Sequence, residues 1–458
     1  MSRNMLSQVP HGARHICQKL RDAGFRAWIV GGCVRDLLLG KTPSDWDVCT
    51  DAVPDAMLKV FPRAIPTGIA HGTLTVLVDK IPYEVTTLRG EGAYTDGRRP
   101  DNVYFAQDID RDLARRDFTV NAIALDPVSG EIIDPFGGQA DLAAKVLRAV
   151  GLASERFSED GLRVLRAARF AATLGFELHE DTANAIEPTL GTFRKVSEER
   201  VRDEWIKTMK AEKPSRAFEI MRTTGILAIT CPELLEGVGL EQNKHHAFDV
   251  WGHAMACLDA SAGDPILRMA ALLHDVGKPR SRAFSDKTQD YTFYDHDRIG
   301  AEMVYPICTR LRFSNDERDR ITHLVRNHLF YYDASWTDAA VRRWVRRVGT
   351  DRLEDLYALN QADVRGKGRS ADDDLAMLDA LRRRVQSVLE KGAALSTKDL
   401  AVNGSDLMKE LGMPASRALG DLLKELLELV TNEPEKNERS ALLAMARDIR
   451  GRAASDKS

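Results

Sequence analysis

Strand-like alternation is confined to the first third of this chain, and the other two thirds repeat with helical spacing to the end. FRAWIVGG (25–32) reads as a strand running into a glycine turn. VRDLLLGK is a short helix stopped by Gly40, and DWDVCT is a second strand. Residues 69–89, IAHGTLTVLVDKIPYEVTTLR, alternate as two strands joined at Asp79–Lys80. Residues 1–24 read as a helix ending at Gly24. Residues 90–102, GEGAYTDGRRPDN, are polar and glycine-rich, a mobile loop by composition. Beyond about residue 140 helical patterns dominate, with breaks near 191–197, 231–240, 280–292, 366–371 and 391–406. The reading is a mixed α/β head ending near residue 145, followed by a long helical remainder.

A length of 458 residues allows about three domains. Hydrophobic content of 43% and charged content of 29% fit a globular chain. The six cysteines are scattered with no CxxC pair, which favours reduced thiols over a disulfide frame or a zinc knuckle. No run of about 18 apolar residues is present, so no membrane span is expected. The N-terminal stretch lacks an apolar signal core, and a cytoplasmic location is expected. With a net charge of −4, a polyanion would need a local basic face.

The stretch WIVGGCVRDLLLGKTPSDWDVC (28–49) carries the first chemistry. A Gly-Gly turn at a helix start lets backbone N–H groups approach a phosphate. Arg35, one turn into that helix, could reach the same anion. Asp45 and Asp47 are spaced i, i+2 on a predicted strand, so both carboxylates point to one face and suit Mg²⁺. Glu84, in PYEVTT, is a third candidate on that face. Alone, each element is as readily an ordinary turn or a solvated strand end. At this spacing they point together to a nucleotide and its metal.

These residues, with RRDFTVNAIALD (115–126) and SEDGLRVLRAARFAATLGF (158–176), resemble the bacterial class II tRNA nucleotidyltransferases, the CCA-adding enzymes. The resemblance implies an α+β chain: a polymerase-β-like nucleotidyltransferase head (1–147), a helical neck carrying a nucleotide-selecting helix (148–240), an HD body (241–370) and a helical tRNA-binding tail (371–458). It implies tRNA, CTP and ATP as partners. Gly32 and Arg35 would hold the triphosphate, Asp45 and Asp47 two Mg²⁺, with Glu84 a third carboxylate, and Arg116 the nucleotide. Bacterial poly(A) polymerases share the head, but TGIAHGTLTVLV (67–78) resembles the tRNA branch. The loop at 90–102 accompanies addition of the final A in the family, so a full CCA adder is expected. An enzyme adding only A, or an HD hydrolase with a degenerate RNA-binding head, are the alternatives.

Base choice follows from hydrogen-bond polarity. Glu159, Asp160 and Arg163 fit the family's EDxxR pattern, and Asp160 and Arg163 at i, i+3 are expected on one helix face. A carboxylate only accepts and a guanidinium only donates. Cytosine and adenine each offer an amine beside a ring acceptor, which matches the pair. Uracil and guanine present the reverse and would leave buried groups unpaired. Arg166 and Arg169 continue the face, toward the nucleotide as the family implies, or as a solvated stripe.

Further along, His253, His274-Asp275, His296, His323 and His328 of THLVRNHLF, and Asp363 occur in the order H…HD…H…H…D, which resembles the HD metal-dependent phosphohydrolases. Such N and O donors suit Mn, Fe, Ni, Co or Mg, and the chemistry implied is water attack on a phosphoester at an RNA 3′ end. A vestigial HD fold used for docking is the other reading. His245 and His246 read as polar loop residues, and His71 as support for the active-site turn. RRWVRR (342–347) and LRRRV (381–385) could track tRNA phosphates or form solvated faces. Monomer and homodimer both remain open.

Overall fold

A computed structural model of the chain describes residues 6–69, 72–91, 103–105, 108–244, 246–391 and 394–455. His71, His245 and all but the first two residues of the 90–102 loop therefore lie outside the described residues. The described chain divides into two compact units, Met1–Leu235 with Ile307–Phe313, and Glu236–Pro306 with Ser314–Ser458.

The first unit is built on a seven-stranded mixed sheet. Its strands are β1 (Ala27–Val30), β2 (Asp47–Thr50), β3 (Ile65–Gly68), β4 (Thr73–Val78), β5 (Ile81–Thr87), β8 (Ala124–Leu125) and β9 (Ile132–Ile133). They lie in the order β3-β4-β5-β2-β1-β8-β9. Strands β6 (Arg89–Glu91) and β7 (Val103–Phe105) pair separately. Only β2 and β5 run parallel; the other pairs of the large sheet are antiparallel. The β4–β5 turn falls at Asp79 and Lys80, both at positive φ (51° and 66°), the two-residue geometry that matches strand twist.

The N-terminal helix is interrupted where the sequence suggested one run: residues 6–8 are helical, Pro10 is extended, and the longer helix spans His11–Asp22. It buries Ile16, Cys17 and Leu20. Trp28, Val30, Cys49, Leu88, Ile109, Leu113, Ala122 and Ala124 form one apolar cluster of the unit. The helix Ala153–Glu159 ends at Asp160, which is extended (φ −136°), and the next helix, Leu162–Leu174, closes at Gly175 in the left-handed region.

The remainder is helical with two exceptions. Val146–Leu147 pairs in parallel with Glu177–Leu178, and Ala283–Ser285 forms a hairpin with Asp290–Thr292. The hairpin corrects the expectation of an all-helical body. Phe284 meets Tyr291 edge-on at 5.6 Å, the Arg282 guanidinium lies 3.6 Å from the Tyr291 ring centre, and Gln289 turns the chain at φ 51°. Three residues per strand are too few for an alternation to register in sequence. In the C-terminal part Leu407, Leu426, Val430, Leu442 and Ala446 form a core of their own. Among the described residues no helix is long and apolar enough to cross a membrane.

Gly161 tests the packing around Asp160. A Cβ there would lie 2.7 Å from the Phe193 backbone, whereas a Cβ on Gly191 meets nothing within 4 Å. Gly161→Ala is expected to destabilise the first unit by about 1–3 kcal/mol. Gly191→Ala should leave stability unchanged or raise it by up to about 1 kcal/mol. Urea unfolding of the two variants side by side checks the pair; equal midpoints would contradict the close contact.

Candidate functional site

The head carboxylates are set by the parallel pair of strands. Asp47 opens β2 and is the register partner of Glu84 on β5, so the two share one face of the sheet. Asp45 does not lie on the strand, which corrects the i, i+2 reading. The ladder starts at Asp47, and Asp45 precedes it, exposed, accepting a 3.0 Å hydrogen bond from Ser44 Oγ. Burial, reinforced by Glu84 and Asp45, pushes the Asp47 carboxyl above its usual range, while Arg116 opposes the shift. Such mutual repulsion is what a divalent cation relieves, and carboxylate oxygens are the donors a hard cation takes. Among the described residues the three carboxylates are not drawn into one closed set of donor atoms.

The Gly-Gly turn stands beside them. Gly31, not Gly32, carries the conformational demand: its φ is 82°, and a Cβ there would lie 2.6 Å from Arg116 Nη1. Gly32 is the first residue of the helix Gly32–Leu38. Arg35, on that helix, donates to Asn121 Oδ1 at 2.7 Å and pairs with Asp36 at 2.8 Å. Arg116 pairs with the buried Asp112 at 3.2 Å. Asn121 and Asp112 were not singled out from sequence, although Asn121 stands within the RRDFTVNAIALD string.

The base-selection residues depart from expectation. Asp160 and Arg163 do not share a helix, because the chain breaks into extended conformation at Asp160. Asp160 is gripped by both Nη atoms of Arg200, at 3.2 and 2.7 Å. Arg163 is buried, pairs with Glu159 at 2.5 Å and donates to the carbonyl oxygens of Arg156 and Arg115 at 3.0 and 2.8 Å.

Arg166 and Arg169 are not a solvated stripe either. Arg166 grips Asp117 at 2.6 Å and Arg169 grips the buried Glu204 at 2.5 Å. The guanidinium groups of Arg35, Arg166 and Arg169 all face the Phe170 ring, at 5.3, 5.2 and 3.8 Å from its centre. Asp117 also accepts from Asn121 Nδ2 at 3.0 Å. Although burial works the other way, Arg166 and Asn121 hold the Asp117 carboxyl down at about 2. A continuous polar path thus runs from Arg35 through Asn121 and Asp117 to Arg166.

In the second unit all six predicted HD residues converge. His253 Nε2 lies 3.2 Å from His274 Nε2, 3.1 Å from Asp363 Oδ1 and 3.3 Å from Asp275 Oδ2. Asp275 Oδ1 lies 3.3 Å from His296 Nε2 and 3.7 Å from His328 Nε2. Each imidazole turns its other nitrogen to a backbone carbonyl: His253 to Gly366 (3.1 Å), His274 to Ala271 (2.8 Å), His296 to Phe293 (2.6 Å) and His328 to Val325 (2.7 Å). A donated Nδ1–H fixes the tautomer and leaves Nε2 as a lone pair aimed inward. His296 Nε2 and His328 Nε2 are buried and make no hydrogen bond. These donors fit a divalent transition metal. Burial first, then neighbouring His274 and His296, pulls His328 down to about 3, so it is neutral and ready to ligate. Against burial, Cys257 and the carboxylates of Asp275 and Asp363 hold His253 well above the usual imidazole range. Lys278 Nζ, 2.6 Å from Asp275 Oδ2, adds positive charge.

His246 is more than a loop residue. Its ring stands 4.9 Å from that of His253, and burial above all lowers it to about 3. His323 is not among the residues whose donor atoms converge. The basic helix faces are largely engaged within the second unit. Arg342 donates to Thr431 O at 2.6 Å, and Arg346 pairs with Glu428 at 2.7 Å. Arg382 pairs with Glu354, and Arg384 with Asp338 at 2.5 Å. Arg347 and Arg383 stay exposed.

Known families match along the chain in the same order. Residues 27–148 match the poly A polymerase head domain, 175–237 the family described as "Probable RNA and SrmB- binding site of polymerase A", and 244–371 the HD domain. The CCA-adding enzyme of Lactobacillus delbrueckii subsp. bulgaricus is 34% identical over 442 residues, covering 96% of this chain and 98% of that protein. That of Lactiplantibacillus plantarum is 33% identical over 452 residues, covering 97% and 98%. The crystal structure of the Bacillus stearothermophilus CCA-adding enzyme in complex with CTP superposes with a TM-score of 0.75 at 28% identity, covering 97% of this chain and 98% of that one. This chain belongs to the CCA-adding enzymes, a family of nucleotidyltransferases.

Proposed function

We propose that the head adds C, C and A to tRNA 3′ ends from CTP and ATP without a nucleic-acid template. The observation that carries this is the pairing of Asp47 with Glu84 beside the Gly31–Gly32 turn, with Arg35 and Arg116 at hand. The similarity to a CTP-bound relative along nearly the whole chain supports it. Asp45 and Asp47, with Glu84, would hold Mg²⁺, which when bound lowers the barrier to 3′-hydroxyl attack on the α-phosphate and steadies the departing pyrophosphate. Gly32 and Arg35 hold the triphosphate, and Arg116 the nucleotide. Arg166 and Arg169 carry the contact into the neck.

Asp160 and Arg163 select the base. In the structure both are paired within the protein, so Arg200 and Glu159 must yield or share when C or A is read. The division into head (1–147), neck (148–240), body (241–370) and tail (371–458) follows these roles, and the tail would hold the outer part of the tRNA.

The converging imidazoles support a second reading for the body. It would bind a divalent ion such as Mn, Fe, Ni, Co or Mg through His253, His274, Asp275, His296, His328 and Asp363, and hydrolyse a phosphoester at an RNA 3′ end. The bound ion supplies an activated water. The residues present it in a buried set whose tautomers are already fixed.

Asp45→Ala and Asp47→Ala should each cut nucleotide addition by about 10²–10³-fold or more, with tRNA binding kept, in a single-nucleotide-resolution assay on tRNAs ending at the discriminator base, C and CC. Extension of the CC-ended tRNA alone by the wild type would make the enzyme an A adder. Asp160→Ala and Arg163→Ala should let UTP and GTP enter, eroding a preference on the order of 10⁴; unchanged refusal of both would remove the pair from base choice. His274→Ala with Asp275→Ala should abolish hydrolysis of a tRNA carrying a 2′,3′-cyclic phosphate while addition to a tRNA with a free 3′-hydroxyl persists. Loss of both activities in a folded protein would refute separate sites.

A further inference from the structure

We propose that Thr75 holds the 2′-hydroxyl of the terminal ribose of the RNA end being extended. The proposal rests on the reading of the head as a nucleotide-adding centre. Residues directly opposite one another on paired strands point to one face. Asp47 on β2 pairs with Glu84 on β5, and Glu84 pairs with Thr75 on β4, so the three side chains form one row across the sheet. Ile65 on β3 is the register partner of Thr75, and Thr67 Oγ1 lies 2.9 Å from Thr75 Oγ1. The row thus runs from two carboxylates to two hydroxyls and ends on the edge strand.

The two sides of the carboxylates differ in charge. On the β1 side stand the Gly31–Gly32 turn, Arg35 and Arg116, donors that suit a triphosphate. On the other side, the positions of β3 and β4 that share the carboxylate face are Ile65, Thr67, Thr73, Thr75 and Leu77, all uncharged. Ile65 and Leu77 are 45% and 49% exposed, although the solvated face of a sheet is ordinarily polar. Nucleotide addition brings together an anionic triphosphate and a neutral ribose. With the triphosphate on the cationic side, the ribose comes from the uncharged one. Its hydroxyl edge and its C–H faces match threonine hydroxyls set among exposed aliphatic side chains.

Cross-strand threonine pairs more often only stabilise a sheet. Here the proton count leaves something over. The Thr67–Thr75 pair carries two O–H donors and uses one between its oxygens. Among the described residues no other hydrogen bond occupies these hydroxyls, so one proton and further lone pairs stay open to a substrate. A terminal ribose presents its 2′- and 3′-hydroxyls side by side. The 3′-hydroxyl belongs at the carboxylates as the attacking group, and its neighbour then falls toward Thr75. A carboxylate only accepts, whereas a threonine hydroxyl also donates, which suits a group that does both. The 2′-hydroxyl is what separates an RNA end from a DNA end at such a site. The second pair, Thr73 with Thr86 at 3.0 Å, lies in line with buried Cys49 instead of a carboxylate, and so provides a control.

The test uses the full-length protein and a tRNA ending in CC, prepared with either ribose or 2′-deoxyribose at its last residue. Both ends keep the 3′-hydroxyl that is extended. Wild type should add A to the ribose end with a kcat/KM about 3–10-fold higher, the range of one neutral hydrogen bond. Thr75→Val, which removes the hydroxyl at nearly constant shape, should bring the two ends to equal efficiency. Thr75→Ser should restore the preference, and Thr73→Val should keep it. Thr75→Ala should level the two ends as Thr75→Val does, so a folding defect in one variant leaves the other to decide. No preference in wild type, or a preference that survives loss of the Thr75 hydroxyl with both ends slowed alike, would overturn the assignment. Failure of wild type to extend either end would instead overturn the reading of the head beneath it.

Discussion

The ion pair between Asp117 and Arg166 organises the first unit's site. Asp117 is buried and held ionised by Arg166 and Asn121. Removing one member of such a pair strands a charge in a low-dielectric interior, a loss on the order of 3–5 kcal/mol. The pair therefore acts less as a source of net stability than as a device that makes other arrangements costly. Asn121 relays it to Arg35 at the glycine turn, and Arg166 shares the Phe170 ring with Arg35 and Arg169. The group expected to grip the triphosphate and the groups expected near the base are thus held by one network. A shift at either end is felt at the other, because a partly satisfied buried polar network is worse than none.

How local each signal is decides how legible it was in the sequence. The β4–β5 hairpin was readable because alternation and a two-residue turn lie side by side in the chain. The H…HD…H…H…D order was readable because imidazole and carboxylate chemistry is scarce and each residue type announces it. The pairing of Asp160 and Arg163 was misread because i, i+3 spacing presumes an unbroken helix. Gly161 stands at the break, but a single glycine within a helical pattern does not by itself end a helix; Asp160 turns extended, and Arg200, 40 residues away, rewards that conformation by gripping it. The same long-range pairing turned an apparent solvated arginine stripe into buried ion pairs, since Asp117 and Glu204 are invisible to a periodicity count. Asp45 shows the limit of strand reading, because where a ladder begins depends on where its partner strand lies.

The two polar centres differ in how their carboxylates and imidazoles are held. In the body, four imidazoles have their tautomers fixed by backbone carbonyls, and burial keeps His328 neutral. The carboxylates there are already stabilised as anions: Asp275 is held well below its usual range by His274 and Lys278 although burial opposes it, and Asp363 is lowered by His253 and His274 against the same burial.

The head has the opposite arrangement. Asp47 is raised, not lowered, and its neighbours Glu84 and Asp45 make matters worse. No closed ligand set forms there among the described residues, and Asp45 stands exposed before the strand. An open arrangement of carboxylates is what suits a hard divalent ion that keeps several waters and takes substrate phosphate oxygens. The carboxylates of the body are thus compensated from within the protein, Asp275 by His274 and Lys278 and Asp363 by His253 and His274, whereas Asp47 of the head is left raised by burial with only Arg116 to oppose it.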